Sequence, residues 1–264
     1  MTRSVGIVVP AYRPDVSVLV DYLEALEREL EPATLRVELD SPTTATLDAL
    51  DETSATINAV TTRRGKGAAV TAGFEALSTD VFAFADADGS TPAESIRSVI
   101  EPVRDGGTDV AVGSRRHAEA EVRSHQTVLR QHLGDAFAWI ARRFLAVDLG
   151  DYQCGAKAMT RETWETIREH LYEPGFAWDV EVIAMADAFG FDIEEVPIIW
   201  VDHPESTVTT TRAIPELLGA LFSARKRART LRRAGVDVTE SAGEGSAEEP
   251  SFPRDDRPLV ERSR

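Results

Sequence analysis

The chain has 264 residues, which is enough for one large domain or for one domain with appendages. Its formal net charge of −16 disfavours nucleic acid as a partner, because phosphate backbones need a basic surface. Cys154 is the one cysteine, which excludes a disulfide within the chain and fits a cytoplasmic setting. No run of about 18 apolar residues is present, and no signal peptide is visible, so we expect no transmembrane helix.

The first half of the sequence alternates predicted strands with predicted helices. Short apolar runs predict strands at 5–9 (broken by Pro10), 35–39, 56–60, 81–85 and 109–112. Apolar residues at helical spacing predict helices at 16–30 and 46–50, from the Arg64–Gly67 segment to about Leu77, and at 92–103. This alternation predicts an α/β fold, with a mainly parallel central sheet and helices on both faces.

The second half is less regular. Helices are predicted at 128–145, 161–171, 178–189 and 215–233, a loop and strand at 151–160, and a strand at 193–200 interrupted by Pro197. From Val236 onward the sequence is rich in Gly, Ser, Glu and Pro with few apolar residues, which predicts a disordered tail. We therefore expect a main domain at 1–210, a basic amphipathic helix at 211–235 and a disordered acidic tail at 236–264.

Two carboxylates, Asp86 and Asp88, directly follow the predicted strand 81–85 in the segment FADADGSTP. Ligands bind at the carboxyl ends of strands in open α/β sheets, and alternate side chains of an extended chain point the same way. Oxygen ligands suit Mg²⁺ or Mn²⁺, which complete their shells with water and substrate phosphates. The pair therefore predicts a metal that holds a nucleotide diphosphate, and an ordinary Asp-rich turn is the alternative.

The segment Arg64-Gly65-Lys66-Gly67 opens a helix directly after a predicted strand. Glycines allow close backbone approach, and the start of a helix favours phosphate. A Walker A motif is excluded, because Ala68 stands where Ser or Thr is required. The segment is either a phosphate-binding turn or a purely structural one.

Further charged residues have a functional and a structural interpretation. Lys157, in a chain with only three lysines, suits a point contact to phosphate, or is a loop lysine without a role. Asp179, at the start of a predicted helix, is a helix cap, or a base or positioning group in the cleft. Arg115 and Arg130 offer guanidinium groups for an acceptor phosphate, or belong to a solvated basic loop.

The predicted helix 215–233 ends in a block of basic residues without an acid: Arg225, Lys226, Arg227, Arg229, Arg232 and Arg233. A basic amphipathic helix is typical of membrane-surface binding, and a helix packed on the domain with an exposed Arg face is the alternative. The acidic, Lys-poor composition resembles that of proteins from salt-loving archaea. At molar salt the Debye length is about 3 Å, so apolar insertion or direct lipid-phosphate contact would have to contribute.

Together these segments resemble the family 2 glycosyltransferases of the Rossmann-like GT-A fold, especially dolichyl-phosphate β-glucosyltransferases and dolichyl-phosphate mannose synthases. The motifs occur in order between Val5 and Ser206. They are VVPAY at 8–12, RGKGAAV at 64–70, FADADGST at 84–91, VGSR at 112–115, DYQCGAK at 151–157, DVE at 179–181 and EVPIIW at 195–200.

The resemblance implies roles for individual residues. Asp179, Asp88 and Lys157 are the implied catalytic residues. Asp86 and Asp88 would bind the metal, Mg²⁺ or Mn²⁺, and Arg115 and Arg130 would grip the acceptor phosphate. The implied donor-binding residues are Pro10, Ala11, Tyr12, Asp40, Lys66, Gly67, Asp86, Ala87 and Asp88.

The implied activity is inverting, metal-dependent transfer of a hexose from a nucleotide sugar to dolichyl or polyprenyl phosphate, which supplies lipid-linked sugar for glycosylation. Two departures leave UDP-glucose and GDP-mannose open as donors. Leu39-Asp40-Ser41-Pro42 stands where the family usually has Asp-Asp-Gly-Ser, and Arg13 stands where an acid is common.

Two other functions stay open at this stage. A transferase that extends a lipid-linked or surface glycan would use a sugar hydroxyl as nucleophile and would need Asp179 as a true base. A catalytically inactive homologue would only bind a nucleotide sugar. We expect a protein peripheral on the cytoplasmic face of the cell membrane, with the basic helix as its anchor. The oligomeric state is left open, a homo-oligomer included.

Overall fold

The computed structural model describes residues 2–123, 141–143, 145, 147–201, 219–233 and 257–262. The strands are β1 Val5–Tyr12, β2 Thr34–Asp40, β3 Thr56–Val60, β4 Val81–Ala85, β5 Val110–Ser114, β6 Glu121–Arg123, β7 Ala156–Thr160, β8 Ile193–Pro197 and β9 Ile199–Val201. The helices are α1 Val16–Leu30, α2 Thr44–Leu50, α3 Lys66–Glu75, α4 Ala93–Arg104, α5 Arg161–Ile167 with a 3₁₀ turn Arg168–His170, α6 Trp178–Ala188, α7 at 219–233 and α8 Leu259–Arg262.

Seven strands form one sheet in the order β3-β2-β1-β4-β7-β5-β8. β7 runs antiparallel to β4 and β5, while the other neighbours in this sheet are parallel. β6 and β9 form a separate parallel pair. Because β7 runs against its neighbours, its first residue, Ala156, lies beside Ala85 at the end of β4. The antiparallel strand therefore begins at the edge of the sheet where the parallel strands end.

The central strands of the sheet are buried on both faces, as the apolar runs predicted. Every residue of β4 and of β5 is buried, which is typical of strands covered on both sides. One apolar layer contains Phe74 of α3 and Trp178 of α6, and the other contains Leu23 of α1 and Ile96 of α4. The predicted mainly parallel sheet with helices on both faces is confirmed.

β1 runs through Pro10, although the sequence predicted that this proline would break the strand. It pairs with β2 as far as Tyr12 but with β4 only as far as Val8. Beyond Val8 one side of β1 has no partner strand among the described residues. A strand that is paired on one side tolerates a residue without an N–H, so β1 continues to the edge of the sheet.

Helix α7 packs against α6. Its Leu221, Ala224 and Ala228 are buried in the same apolar core as α6, so the domain covers these three residues. Phe222 is 53% exposed on α7. That the basic helix also contacts a membrane surface stays a prediction. No helix among the described residues is both long and apolar enough to cross a bilayer.

The predicted disordered tail, 236–264, contains a short ordered segment at 257–262. Leu259 and Val260 of α8 are buried, and the Leu259 N–H donates to the Leu171 carbonyl at 2.8 Å. These two apolar residues give the otherwise polar segment a means of packing. The rest of the tail, and most of the predicted helix 128–145, lie outside the described residues.

Candidate active site

The carboxyl edge of the sheet brings distant parts of the sequence together. β1 and β2 end side by side at Tyr12 and Asp40. β4 ends one residue before Asp86, and Lys157 of β7 lies opposite Phe84 of β4. Lys66 is the first residue of α3 and Asp179 the second of α6, and their side chains meet although 113 positions separate them.

The centre of this edge is a chain of alternating charges. Asp179 accepts hydrogen bonds from two lysines, with Lys157 Nζ 2.7 Å from its Oδ1 and Lys66 Nζ 2.9 Å from its Oδ2. Lys66 Nζ also lies 3.0 Å from Oδ1 of Asp86, and Lys157 donates to the Cys154 carbonyl at 2.8 Å. Two carboxylates and two ammonium groups therefore balance each other in one contiguous cluster.

The two lysines keep Asp179 ionised although this residue is only 1% exposed. Burial opposes its ionisation, but Lys157 and Lys66 outweigh this effect and hold the pKa of Asp179 below its usual range. A carboxylate with a low pKa and both oxygens paired is a weak base. Both oxygens go to lysines, so Asp179 is not a helix cap. Lys157 is likewise a buried strand residue and not a loop lysine.

Asp86 and Asp88 follow β4 as predicted but make different contacts. Residues 87–88 form a turn, so the extended chain that would point both carboxylates the same way ends at β4. Asp88 is exposed, and its Oδ1 accepts a hydrogen bond from the Ser90 N–H at 2.9 Å. The Asp86 side chain is 37% exposed, and it faces Lys66. Desolvation raises the pKa of Asp86 in spite of Lys66, and the charge of Asp88 adds to the rise.

Gly155 makes room for the Asp86 carboxylate. A Cβ atom on Gly155 would lie 1.9 Å from Oδ2 of Asp86 and 2.3 Å from its Cγ. The Asp86 N–H donates to the Gly155 carbonyl at 2.9 Å, which fixes the two segments against each other. The glycine of the DYQCGAK motif is thus explained by the close approach of an acidic side chain.

The carboxylates of Asp86 and Asp88 suit a divalent cation that is shared with a substrate. Among the described residues, no group of three or more His, Cys, Asp or Glu side chains could hold a metal alone. Mg²⁺ needs only one or two protein carboxylates, because it completes its shell with water and substrate phosphates. Asp86 and Asp88 meet this requirement, since both carboxylates reach solvent at the sheet edge.

The glycines at the start of α3 allow a protein loop to pack closely against the backbone. A Cβ on Gly65, whose φ is +99°, would lie 2.5 Å from the Pro174 carbonyl oxygen, and one on Gly67 would lie 2.4 Å from that of Glu173. The Ala68 N–H donates to the Pro174 carbonyl at 3.1 Å. At these two glycines, the loop that precedes α6 therefore fills the space in which we expected a phosphate.

Glu181 holds that loop in place, a role that the sequence did not predict. Its Oε2 accepts hydrogen bonds at 2.9 Å from the N–H groups of Tyr172 and Glu173, and its Oε1 pairs with Arg227 of α7. Burial raises the pKa of Glu181 to about 7, against the opposing effect of Arg227. The available signal was an acid with apolar residues on both sides in a predicted helix, because a buried acid needs partners.

Tyr12 and Asp40 form the part of the site that is predicted to bind the nucleoside of the donor. Asp40 is 2% exposed and accepts hydrogen bonds from the Arg64 and Gly65 N–H groups at 2.6 and 3.2 Å and from Arg64 Nε at 2.7 Å. Tyr12 is 36% exposed, with the Arg63 guanidinium 4.3 Å from the centre of its ring. Asp40 thus supports the loop, whereas Tyr12 stays accessible. The other predicted donor-binding residues lie in β1 (Pro10, Ala11) and in the turn after β4 (Ala87).

Arg115 is held by Asp151, another partner that the sequence did not predict. Arg115 Nε and one terminal nitrogen lie 2.6 and 2.9 Å from the two Asp151 oxygens. Burial opposes ionisation of Asp151, but Arg115 and Arg116 hold its pKa well below the usual range. Asp86 helps to raise the pKa of Arg115, so this pair lies within electrostatic reach of the centre. Arg130 lies outside the described residues.

The mainly parallel sheet with helices on both faces is the GT-A fold. Crystal structures of glucosyl-3-phosphoglycerate synthase from Mycobacterium tuberculosis have this fold. A complex with Mn²⁺, UDP-glucose and phosphoglyceric acid matches with a TM-score of 0.69 at 17% identity, over 99% of this chain and 92% of that one. A complex with Mn²⁺, UDP and glucosyl-3-phosphoglycerate matches with a TM-score of 0.66 at 17% identity, over 85% and 80%.

The particular family follows from the sequence. The model of glycosyl transferase family 2 matches residues 7–168, and the chain belongs to that family. Glycosyltransferase AglD of Haloferax volcanii is 30% identical over 178 residues, 66% of this chain and 28% of the relative. Dolichyl-phosphate beta-glucosyltransferase of Saccharomyces cerevisiae is 32% identical over 148 residues, 52% of this chain and 44% of the relative. The chain thus spans less than half the length of these relatives.

Proposed function

We propose that this protein transfers a hexose, with inversion, from a nucleotide sugar to a dolichyl or polyprenyl phosphate. The dolichyl-phosphate beta-glucosyltransferases of yeast, Drosophila melanogaster and Homo sapiens are among its relatives, so glucose is the favoured sugar. The fold neighbours in complex with UDP-glucose favour UDP-glucose over GDP-mannose as donor.

The observation that carries the proposal is the double pairing of Asp179. A hydroxyl acceptor needs a base to remove its proton, and Asp179 is a poor one because Lys66 and Lys157 occupy both oxygens and lower its pKa. A phosphate monoester has a second pKa of about 6 and is already an anion near neutral pH. A phosphate acceptor therefore needs no general base from the protein.

The proposed reaction balances without proton transfer. An oxygen of the acceptor phosphate forms a bond to C1 of the sugar while the bond from C1 to the donor diphosphate breaks. The electron pair of the broken bond leaves with the diphosphate, and attack from the opposite face inverts C1. Lys66, which Asp86 and Asp179 hold at the sheet edge, is the residue that we assign to the donor phosphates.

Asp179 and Lys157 act in this proposal by position and charge. Asp179 fixes the ammonium groups of Lys66 and Lys157, and the buried ion pairs need no reorganisation during reaction. Arg115, oriented by Asp151, is assigned to the acceptor phosphate, with Arg130 as a second predicted contact. Asp86 and Asp88 would hold Mg²⁺ or Mn²⁺, which supplies neutralisation of the charge on the departing diphosphate when bound.

A relative from Haloferax volcanii named low-salt glycan biosynthesis hexosyltransferase Agl6, 29% identical over 157 residues, favours the second candidate function. In that case a sugar hydroxyl of a growing glycan is the acceptor. Because the first candidate's acceptor is a membrane lipid, we propose action at a membrane surface, and the cytoplasmic side and the oligomeric state stay predictions.

The test is transfer of radiolabelled sugar from UDP-glucose or GDP-mannose to dolichyl phosphate, in high salt with Mg²⁺ or Mn²⁺. Dolichol without phosphate is the acceptor control. Asp88→Asn is expected to abolish labelling, whereas Asp51→Asn, at an exposed residue after α2, leaves it unchanged. Labelled lipid from UDP-glucose supports the proposal. A folded protein that labels no lipid phosphate from either donor contradicts it and favours the glycan-extending function.

A further inference from the structure

Arg227 connects helix α7 to the part of the domain that carries the candidate active site. Its guanidinium pairs with Oε1 of Glu181 in α6, and it lies 4.9 Å from the centre of the Tyr172 ring. The Arg227 side chain is 11% exposed and that of Glu181 is 0% exposed, whereas Arg229 of the same helix is exposed. Removing one partner of a buried pair leaves the other charge uncompensated, so Arg227 matters more than an exposed arginine.

The second oxygen of Glu181 holds the segment 171–174, which we call the supporting loop. Oε2 accepts hydrogen bonds at 2.9 Å from the N–H groups of Tyr172 and Glu173. One carboxylate therefore serves both Arg227 and the loop. Without Arg227 the loop would depend on a buried acid that lacks a countercharge, and such an acid takes up a proton or moves towards water. The loop would then lose its charge-assisted acceptor.

The supporting loop packs against the start of α3 on both sides of Lys66. The Ala68 N–H donates to the Pro174 carbonyl at 3.1 Å. A Cβ on Gly65 or on Gly67 would lie 2.5 or 2.4 Å from a carbonyl oxygen of this loop, so the two backbones leave no space between them. The place of Lys66 at the sheet edge therefore depends on the place of the supporting loop.

We propose that Arg227 is a positioning residue for Lys66. It acts through Glu181 and the supporting loop, so helix α7 helps to hold the ammonium group that receives the donor phosphates. This role rests on the proposed function, in which Lys66 contacts the diphosphate of a nucleotide sugar.

Lys157 is held independently of the supporting loop. It lies on β7, and its hydrogen bonds go to Asp179 and to the Cys154 carbonyl, both outside the loop. A displaced supporting loop should therefore move Lys66 and leave Lys157 in place. We thus expect loss of Arg227 to weaken binding of the donor diphosphate, which raises the KM for the donor more than it lowers kcat.

The test uses the full chain and three variants. Arg227→Met removes the charge, Arg227→Lys keeps it, and Arg229→Met is the matched control at an exposed position of the same helix. Calorimetry with UDP and with GDP, each with Mn²⁺ at fixed salt, measures nucleotide binding without sugar transfer. Hydrogen exchange followed by mass spectrometry reports on the backbone at 65–70 and at 171–177. Urea unfolding shows whether each variant is folded under the assay conditions.

We expect Arg227→Met to lower the affinity for one nucleotide about tenfold, which is the order of one charge-assisted hydrogen bond. Arg227→Lys should restore most of this affinity. Arg229→Met should change it by less than about twofold, because exposed charges contribute little. In Arg227→Met, exchange should become faster at 65–70 as well as at 171–177, which a pair that only stabilised the loop would not produce.

A folded Arg227→Met variant with wild-type affinity for the nucleotide would overturn the role of Arg227 alone, as would faster exchange confined to 171–177. An equal loss in Arg229→Met would also overturn it, because the charge of the helix would then be the cause. A wild type that binds neither UDP nor GDP contradicts the proposed function and this role with it. Should Arg227→Met unfold, Arg227→Gln takes its place, since it still donates a hydrogen bond to Glu181, and we expect a loss of about threefold or more.

Discussion

The charged side chains at the two ends of α6 are arranged differently. At its start, Asp179 is buried between Lys66 and Lys157, and Asp86 completes a balanced set. At its end, four arginines face one acid around an open cavity. Both ends belong to the same helix of an acidic chain, so the net charge of the chain alone explains neither arrangement.

The difference shows what each arrangement is suited to do. Buried charges persist only when they are paired and hydrogen-bonded, and such pairs hold side chains in fixed positions for a reaction. At the end of α6 the Asp187–Arg232 pair is partly exposed, so solvent and salt screen it. The first end is thus organised before any ligand arrives, whereas the second is screened by solvent. The predictions below perturb the buried end first and the exposed end last.

The largest effect is expected for Lys157→Met, which removes one partner of the buried Asp179. The carboxylate loses its shorter hydrogen bond and keeps only Lys66. Breaking a buried pair in this way lowers stability by about 3–5 kcal/mol. Urea unfolding at fixed salt measures the free energy of unfolding. Lys226→Met, at an exposed position of α7, is the control, and equal losses in the two variants would show that the Lys157 pair is not special.

Gly155→Ala, near the same end of α6, should lower the transfer activity more than it lowers the stability. The new methyl group would overlap the Asp86 carboxylate and displace it by about 1 Å or more. A displacement of this size at a reaction centre lowers the rate roughly 100-fold. Transfer assays and Mn²⁺ titration in the presence of UDP measure the effect. Gly175→Ala, where an added Cβ meets nothing within 4 Å, should keep activity within about twofold if steric displacement is the cause.

Glu181 lies between the two ends and should make stability depend on pH. Its pKa rises from 4.5 to about 7 on folding, so the folded protein keeps a proton that the unfolded chain has lost over this range. This contribution is complete below pH 4.5 and is lost as the pH rises towards 7, by about 3 kcal/mol. Glu181→Gln retains an acceptor for the Tyr172 and Glu173 N–H groups and removes the titration.

The check is urea unfolding of the Glu181→Gln variant at several values between pH 4.5 and pH 7.5. Its stability should fall less over this range than that of the wild type. Glu165→Gln, at an exposed residue of α5, should reproduce the wild-type profile. A Glu181→Gln profile parallel to the wild type would mean that Glu181 is ionised throughout.

The sequence predicted the sheet because the strands are apolar runs separated by amphipathic helices, and that pattern is local. It also indicated two residues at the sheet edge, since Asp86 directly follows β4 and Lys66 begins the helix after β3. It did not predict their contacts. Asp179 meets Lys157 only because β7 is inserted antiparallel between β4 and β5, and strand order is not encoded in any short segment.

A local pattern has more than one tertiary partner, and the sequence does not decide between them. The glycines of α3 do permit close approach, and in the structure a protein loop approaches them. The apolar side of α7 was predicted to meet either a membrane or the domain, and its Leu221, Ala224 and Ala228 lie in the core that α6 shares. Asp151 and Glu181 were quoted in motifs without a role, because their partners Arg115 and Arg227 come from other elements.

The smallest effect is expected at the end of α6, from Asp187→Asn. This change releases Arg232 from its ion pair. Both side chains are partly exposed, so stability should fall by less than about 1 kcal/mol. Urea unfolding at fixed salt measures the fall, with Asp192→Asn, at an exposed residue after α6, as the control. A fall as large as that of Lys157→Met would mean that the exposed Asp187–Arg232 pair matters as much as the buried one, and the two ends of α6 would then follow one principle.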